Sequence, residues 1–139
     1  MLLALVAVRA GADDERIGYY MPLNATPAFG DLRYIALLDG PQYGVPGYGW
    51  VAIGTDDNHQ RHRRFRIAIQ PISGEEVRFS TQTLNGVSYT FRGRFVDRPR
   101  PIEKDSDRDR VILVGTLTRF RDKAVVAEAS LRFSYTPGD

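Results

Sequence analysis

Apolar and polar residues alternate along most of this chain, with the period of two that indicates β-strands with one buried face. The pattern is clearest at residues 125–135, where odd positions carry mostly apolar side chains and most even positions carry polar ones. Residues 111–118 are rich in β-branched side chains. We predict that the two segments form a hairpin through a three-residue loop at 121–123. That register sets Leu117 opposite Ala127, so that the apolar faces coincide.

A second hairpin is predicted from the alternating segments 77–83 and 89–95. The Asn-Gly dipeptide at 85–86 is typical of a two-residue type I′ turn. That turn alone would set Phe79 opposite Arg92 and place a charge on the buried face. A loop longer by one residue aligns every aromatic side chain, so burial favours this register. With an alternating strand at 65–69, the two segments predict a three-stranded meander.

No segment has the period of a helix, and the turn signals are regularly spaced, so we predict an all-β protein. Residues 13–139 are expected to form a single antiparallel domain of eight or nine strands. Short sequential connections favour an up-and-down barrel over a two-sheet sandwich. The rhythm of the meander resembles that of lipocalin-like (calycin-like) barrels. Gly49 and Trp50 lie mid-chain and contiguous rather than in the N-terminal Gly-x-Trp that such barrels often carry, so no family is assigned.

Residues 1–12 form an apolar N-terminal segment that allows three interpretations. The apolar run at 2–8 is followed by a small-residue Ala-Gly-Ala pattern at 10–12, which resembles the end of a signal peptide. The segment is alternatively a buried first strand, or a strand donated to a neighbouring subunit. An extracytoplasmic location, periplasmic or secreted, is favoured. Seven apolar residues are too few to span a bilayer, so no transmembrane segment is predicted.

Composition narrows the candidate chemistry. The chain has 139 residues and no cysteine, which is enough for one domain without disulfides and excludes thiolate nucleophiles and thiolate metal sites. The net charge is only +2, but 17 of the 19 basic residues are arginine. The planar guanidinium fork suits carboxylate, phosphate and sulfate groups. The excess of arginine over lysine therefore reflects either a coding bias or selection for anion binding.

No metal site, cofactor or catalytic residue is predicted. His59 and His62 are the only histidines, and the arginines around them disfavour a cation. The D-x-D-x-D spacing at 105–109 resembles a calcium loop, but Arg110 replaces the glycine that such a loop requires. No serine lies in a G-x-S-x-G elbow. A hydrolase with dispersed carboxylates stays open, because a fold can assemble such a pair without a sequence motif.

The inner face of the β structure mixes aromatic with small side chains. These either interdigitate into a solid core or leave a pocket at a barrel mouth, rimmed by the Tyr- and Trp-containing loop. The candidate ligand-binding residues are Tyr43, Tyr48, Trp50, Phe79, Tyr89 and Phe91.

The outer face of the meander is predicted to carry a patch of arginines, with Arg78 opposite Arg94. The patch is either a solvated sheet face or a surface for a polyanion or an acidic partner. Nucleic acid is disfavoured, because no recognition helix or RNA-binding signature is present. The candidate anion- or partner-binding residues are Arg64, Arg66, Arg78, Arg92 and Arg94.

Together these features predict a non-enzymatic small β-barrel module that binds a small apolar or aromatic ligand. The alternative is a structural or assembly subunit. In that case the N-terminal apolar strand and the arginine-rich sheet face would contact protein partners or other copies of the chain in a homo-oligomer.

Overall fold

The computed structural model describes residues 14–24, 26–40, 47–54 and 62–137. These ranges contain nine antiparallel strands, which confirms the predicted all-β class and strand number. The strands are β1 (Gly18–Pro22), β2 (Leu32–Leu37), β3 (Gly49–Ile53), β4 (Arg63–Arg66), β5 (Ile72–Ser73), β6 (Glu76–Ser80), β7 (Val87–Phe95), β8 (Leu113–Arg121) and β9 (Ala124–Thr136). Short 3₁₀ turns lie at Asp14–Arg16, Pro27–Phe29 and Asp105–Asp109. No helix within the described ranges is long and apolar enough to cross a membrane.

All nine strands belong to one sheet, in the order β4-β3-β2-β1-β9-β8-β7-β6-β5. Neighbours in the sheet are neighbours in sequence, except that the first and last strands pair with each other. The edges, β4 and β5, are consecutive in the chain, so the sheet curls into a half-barrel. An isolated bridge between Ile67 and Thr81, supported by a 2.9 Å hydrogen bond from Gln82 N–H to Arg66 O, joins the chain just beyond β4 to the chain just beyond β6.

The concave face of the half-barrel is the hydrophobic core, and the predicted alternation places most of its residues correctly. The predicted strand at 65–69 is shorter than expected: β4 ends at Arg66 and the chain leaves the sheet, so Ile69 is 79% exposed instead of buried with Phe65 and Ile67. The largest fully buried side chains are Tyr20, Tyr89, Phe65, Phe91, Phe133, Ile35, Leu37, Ile67, Ile112, Leu113, Leu117 and Leu131.

The predicted register of the β8–β9 hairpin is wrong, although its predicted buried face is right. Leu117 pairs with Ala129 rather than Ala127. The turn has two residues, Asp122 and Lys123, with φ of 50° and 69°, as a type I′ turn requires. A bulge beyond Arg119 then shifts the pairing by one residue, which returns the apolar side chains to the concave face.

The predicted register of the β6–β7 hairpin is wrong by two residues, although its predicted buried face is right: Phe79 pairs with Phe91, and Arg78 pairs with Arg92 rather than Arg94. The loop is the two-residue Asn-Gly turn instead of the longer one predicted: Asn85 and Gly86 have φ of 51° and 80°, and Leu84 bridges Val87 across it. An irregularity between this bridge and β6 absorbs the difference of one residue. The Asn-Gly turn and the burial of the aromatic side chains are therefore compatible, because one extra residue lies between the turn and the paired part of β6.

The interior under β7 and β8 is packed solid around two glycines that face each other, Gly93 and Gly115. The ring of Phe91 lies over both, and a Cβ on Gly93 would approach Phe91 Cε2 at 2.7 Å. Phe79 stacks on Phe91 with centroids 5.5 Å apart, and Phe133 meets it edge-on at 5.8 Å. The mixture of small and aromatic side chains is therefore an interdigitated core in this region.

Two tyrosines fill the end of the half-barrel where β1 begins. The hydroxyl of Tyr20 donates to Arg16 O and that of Tyr135 to Ile17 O, each at 2.7 Å. The guanidinium of Arg16 covers the ring of Phe95 at 5.2 Å. Burial raises the pKa of both tyrosines, so both remain neutral core residues at physiological pH.

The calcium-like sequence at 105–109 forms a self-contained turn. The buried Asp107 accepts backbone hydrogen bonds from Glu103 at 3.0 Å and Lys104 at 3.2 Å, and it forms an ion pair with Arg110. The hydrogen bond from Glu103, with that from Lys104 and the charge of Arg110, holds the pKa of Asp107 below its usual value. This carboxylate is therefore already used to hold the turn.

Candidate functional site

At the other end of the half-barrel, three arginines occupy positions in line with the buried face. Arg63 begins β4, two residues before the buried Phe65, while Arg119 and Arg121 end β8, beyond the buried Leu117. They surround a cavity of about 300 Å³, here called the mouth pocket. Its lining residues are Asp31, Ile53, Arg63, Phe65, Val87, Tyr89, Arg119 and Arg121. Charged side chains therefore replace apolar ones where the strands end and the interior opens.

Arg119 is fixed by contacts on three sides. One of its terminal nitrogens donates to both carboxylate oxygens of Asp31, at 2.7 and 2.8 Å, and Nε donates to the hydroxyl of Tyr89 at 2.8 Å. The guanidinium also lies 5.2 Å from the ring centroid of Phe29. Burial lowers the pKa of Arg119, but the hydrogen bonds with Asp31 and Tyr89 outweigh it, and the net shift is upward. Arg119 is therefore a permanent cation whose role is to hold its neighbours.

The buried Tyr89 presents a hydroxyl proton to the mouth pocket. Its oxygen accepts from Arg119, and no acceptor for its proton exists among the described residues. Burial, the largest cause, raises the pKa of Tyr89, and the charges of Arg119 and Arg63 oppose that rise without cancelling it. The phenol thus stays protonated at neutral pH, as a hydrogen-bond donor whose orientation is set by Arg119.

The raised pKa values of Tyr20, Tyr89 and Tyr135 predict a specific alkaline behaviour. A phenol with a raised folded pKa contributes stability fully below its unfolded pKa, near 10, and that stability is lost as pH rises above it. We expect part of the tyrosine absorbance at 295 nm to appear only together with the loss of β-sheet circular dichroism. Protein unfolded in guanidinium should titrate all seven tyrosines near pH 10. A complete titration near pH 10 with the sheet intact would contradict this assignment.

Arg63 and Arg121 differ from Arg119 in that neither is paired with a described residue. Both are exposed, and neither makes an ion pair or a hydrogen bond with the described part of the chain. Among the described residues, Asp31 is the single carboxylate that lines the mouth pocket, and it is bound to Arg119. The described lining residues therefore carry an excess of two positive charges at the rim, above a floor that includes Phe65, Ile53 and Val87.

The six aromatic residues predicted to bind a ligand lie in different places. Tyr89 alone lines the mouth pocket. Phe79 and Phe91 pack against each other in the core, and Tyr48 packs partly buried against that core. Trp50 lies on the outer face, where its indole donates to the Tyr34 hydroxyl at 3.2 Å. Tyr43 lies outside the described residues.

The arginines predicted to form an outer patch are divided between two parts of the sheet. Arg64 and Arg66 lie on β4, where the Arg64 guanidinium sits 4.7 Å from the Trp50 ring centroid. The other three lie on β6 and β7. There the predicted pairing is wrong: Arg78 opposes Arg92, and Arg94 opposes Glu76. A polyanion or acidic partner on this face stays a prediction, as does assembly through residues 1–12, which lie outside the described residues.

Two further depressions differ from the mouth pocket. One, of about 440 Å³ at the opposite end, is lined by charges of both signs, including the ion pair of Arg98 with Glu15 at 2.7 Å. The other, of about 570 Å³, is lined by Ile69 and the outer arginines Arg78 and Arg92, together with Phe79 and Phe91, two of the predicted ligand-binding residues. Within the described ranges, no group of three or more acidic, histidine or cysteine side chains is placed to hold a metal ion.

The sequence contains a signal for the mouth pocket, although Arg63, Arg119 and Arg121 were not among the predicted site residues. Arg119 and Arg121 continue the odd-numbered, buried series of β8, and Arg63 continues that of β4. Charged residues at the end of a buried series mark a place where the core opens to water. Asp31 has no comparable signal, because it lies in a turn and reaches Arg119 only through the curl of the sheet.

Comparison with protein-family models, curated proteins and solved structures gives no match. The geometry of the chain is therefore the basis on which its function is proposed.

Proposed function

We propose that this protein is a non-enzymatic binding module that takes a small organic ligand with an apolar or aromatic body into the mouth pocket. The observation that carries the proposal is the hydroxyl of the buried Tyr89, which is oriented by Arg119 and finds no acceptor for its proton among the residues that the structure describes. A ligand oxygen at this point would complete the hydrogen bonding of the phenol. Donors placed in this way over an apolar floor are typical of small-molecule sites.

The size of the mouth pocket supports a ligand of one or two rings. Its volume of about 300 Å³ lies at the lower end of the range for ligand pockets. The volume beside Gly93 and Gly115 offers no competing space, because Phe91 occupies it. The ligand would therefore sit at the mouth, on Phe65, rather than inside the half-barrel.

Binding rather than catalysis is the function that this arrangement suits. The carboxylate of Asp31 accepts two hydrogen bonds from Arg119, which leaves it poorly placed to remove a proton from a ligand. Among the described residues, the lining of the mouth pocket includes no histidine, serine or threonine. Apart from Asp31, its polar side chains can donate hydrogen bonds, which recognise and orient a ligand.

A thermal-shift experiment with a matched pair of variants tests this proposal. The ligands are phenol, indole, 2-naphthol, 2-naphthamide and 2-naphthoate. A ligand at about 100 times its Kd stabilises the native state by about 2.7 kcal/mol, which corresponds to a rise in Tm on the order of 10 °C. Val87→Phe should abolish the rise by filling the pocket, whereas Ser88→Phe adds the same ring on the opposite face of β7 and should retain it.

Two results would contradict the proposal. One is the absence of any ligand-dependent change in Tm across the series. The other is an equal response of the Val87→Phe and Ser88→Phe variants, which would place binding elsewhere. Far-ultraviolet circular dichroism of both variants establishes that each retains the sheet.

A further inference from the structure

We propose that the mouth pocket selects ligands bearing a carboxylate, which Arg63, Arg121 and the Tyr89 hydroxyl would hold together. This inference rests on the proposed function and specifies the chemical class of its ligand. The three groups line one cavity and are all hydrogen-bond donors. Two of them carry a positive charge that the described part of the chain does not neutralise.

The three arginines of the mouth pocket have different contacts, and this difference supports an anion site at Arg63 and Arg121. Arg119 donates hydrogen bonds to Asp31 and Tyr89 at distances of 2.7 to 2.8 Å, so it is a positioning residue. Arg63 and Arg121 extend from strands that are distant in the sheet order, β4 and β8, toward the same cavity. Two like charges at one rim repel each other, and an anion between them would remove that repulsion.

The protonation state of Tyr89 adds to the selectivity. Arg63 is close enough for its charge to influence the Tyr89 phenol, so the guanidinium and the hydroxyl share one region of the pocket. A carboxylate has two acceptor oxygens, one for the phenol proton and one for a guanidinium. A cationic ligand would meet repulsion from Arg63 and Arg121, and a neutral amide would use its oxygen alone.

Isothermal titration calorimetry with one apolar body in three charge states tests the inference. The ligands are 2-naphthoate, 2-naphthamide and 2-naphthylmethylammonium, each titrated into the full-length protein at low and moderate salt. We expect 2-naphthoate to bind about tenfold or more tightly than the amide, as charge-assisted hydrogen bonds imply. The ammonium ligand should bind most weakly. Added salt should weaken the binding of the naphthoate much more than that of the amide.

Variants assign the selectivity to the named side chains. Arg63→Gln combined with Arg121→Gln should remove the preference for naphthoate over naphthamide. Arg78→Gln combined with Arg92→Gln changes the net charge equally on the outer face, and should preserve the preference. Tyr89→Phe should weaken naphthoate binding about tenfold, while its ring keeps the packing against Phe65, 4.8 Å away between centroids.

The outcomes separate this inference from the proposed function. Equal binding of naphthoate and naphthamide, abolished by Val87→Phe, would overturn the carboxylate preference and leave the binding module intact. If the preference for naphthoate disappears equally in the mouth and outer-face double variants, it arises from the net charge of the protein and not from the mouth pocket. That result would also overturn the inference. Failure of all three ligands to bind would overturn both proposals.

Discussion

Replacing Gly115 by alanine should destabilise the protein by about 3 kcal/mol, at the upper end of the usual cost of overpacking a core. A Cβ at this position would collide with Phe91 Cζ and would lie 2.6 Å from the carbonyl oxygen of Arg92 and 2.7 Å from Gly93 Cα. Two of these three atoms are backbone, so no change of side-chain rotamer can relieve the contact.

Chemical denaturation followed by circular dichroism measures this effect. Gly30→Ala is the matched control, because Gly30 has φ of −61° and its added Cβ would meet nothing nearer than 3.9 Å. We expect that control to lie within about 0.5 kcal/mol of the wild type. Combining Gly115→Ala with Phe91→Leu should recover only part of the loss, since the backbone contacts remain. A Gly115→Ala variant as stable as Gly30→Ala would show that this region is not packed as described.

Replacing Asp31 by asparagine should cost about 2 kcal/mol of stability, because it leaves Arg119 half-buried without its counter-ion. Loss of one partner of a fully buried pair costs about 3–5 kcal/mol. The side chains of Asp31 and Arg119 are 30% and 20% exposed, and water reduces the cost accordingly. Asparagine keeps the shape of the side chain, so the measured difference reports charge and hydrogen bonding rather than a cavity.

A double-mutant cycle assigns the loss to the pair. Arg119→Met combined with Asp31→Asn should be more stable than the sum of the single variants predicts, since no unpaired charge remains. Glu76→Gln serves as the control for an exposed pair, whose 3.9 Å contact with Arg78 should contribute little that can be measured. Strict additivity in the cycle would contradict coupling between Asp31 and Arg119.

The sequence was sufficient to predict the fold class and most of the buried face. Alternation identifies buried residues such as Phe79 and Phe91 without knowledge of their partners, since a strand has only two faces. The exact register of β8 and β9 could not be obtained in this way. Burial requires only that Leu117 face another inward residue, and a bulge allowed Ala129 to replace Ala127.

The candidate site was less predictable, because it depends on the curl of the sheet. Asp31, Tyr89 and Arg119 lie 30 to 88 positions apart in sequence, and no local pattern links them. The aromatic composition near Trp50 predicts a ligand site, but Trp50 lies on the outer face, whereas the arginines at the ends of β4 and β8 mark the opening. An inward-facing charge at a strand end was the available signal.

The central claim, that the mouth pocket is the ligand site, is tested most directly by an NMR titration of isotope-labelled protein with 2-naphthoate. We predict that the backbone amide signals of Val87, Tyr89 and Arg121 shift with ligand concentration. The indole signal of Trp50, the single tryptophan, should stay in place because it reports on the outer face. Shifts of the indole signal with the mouth amides unchanged would contradict the account and place binding at the outer aromatic surface.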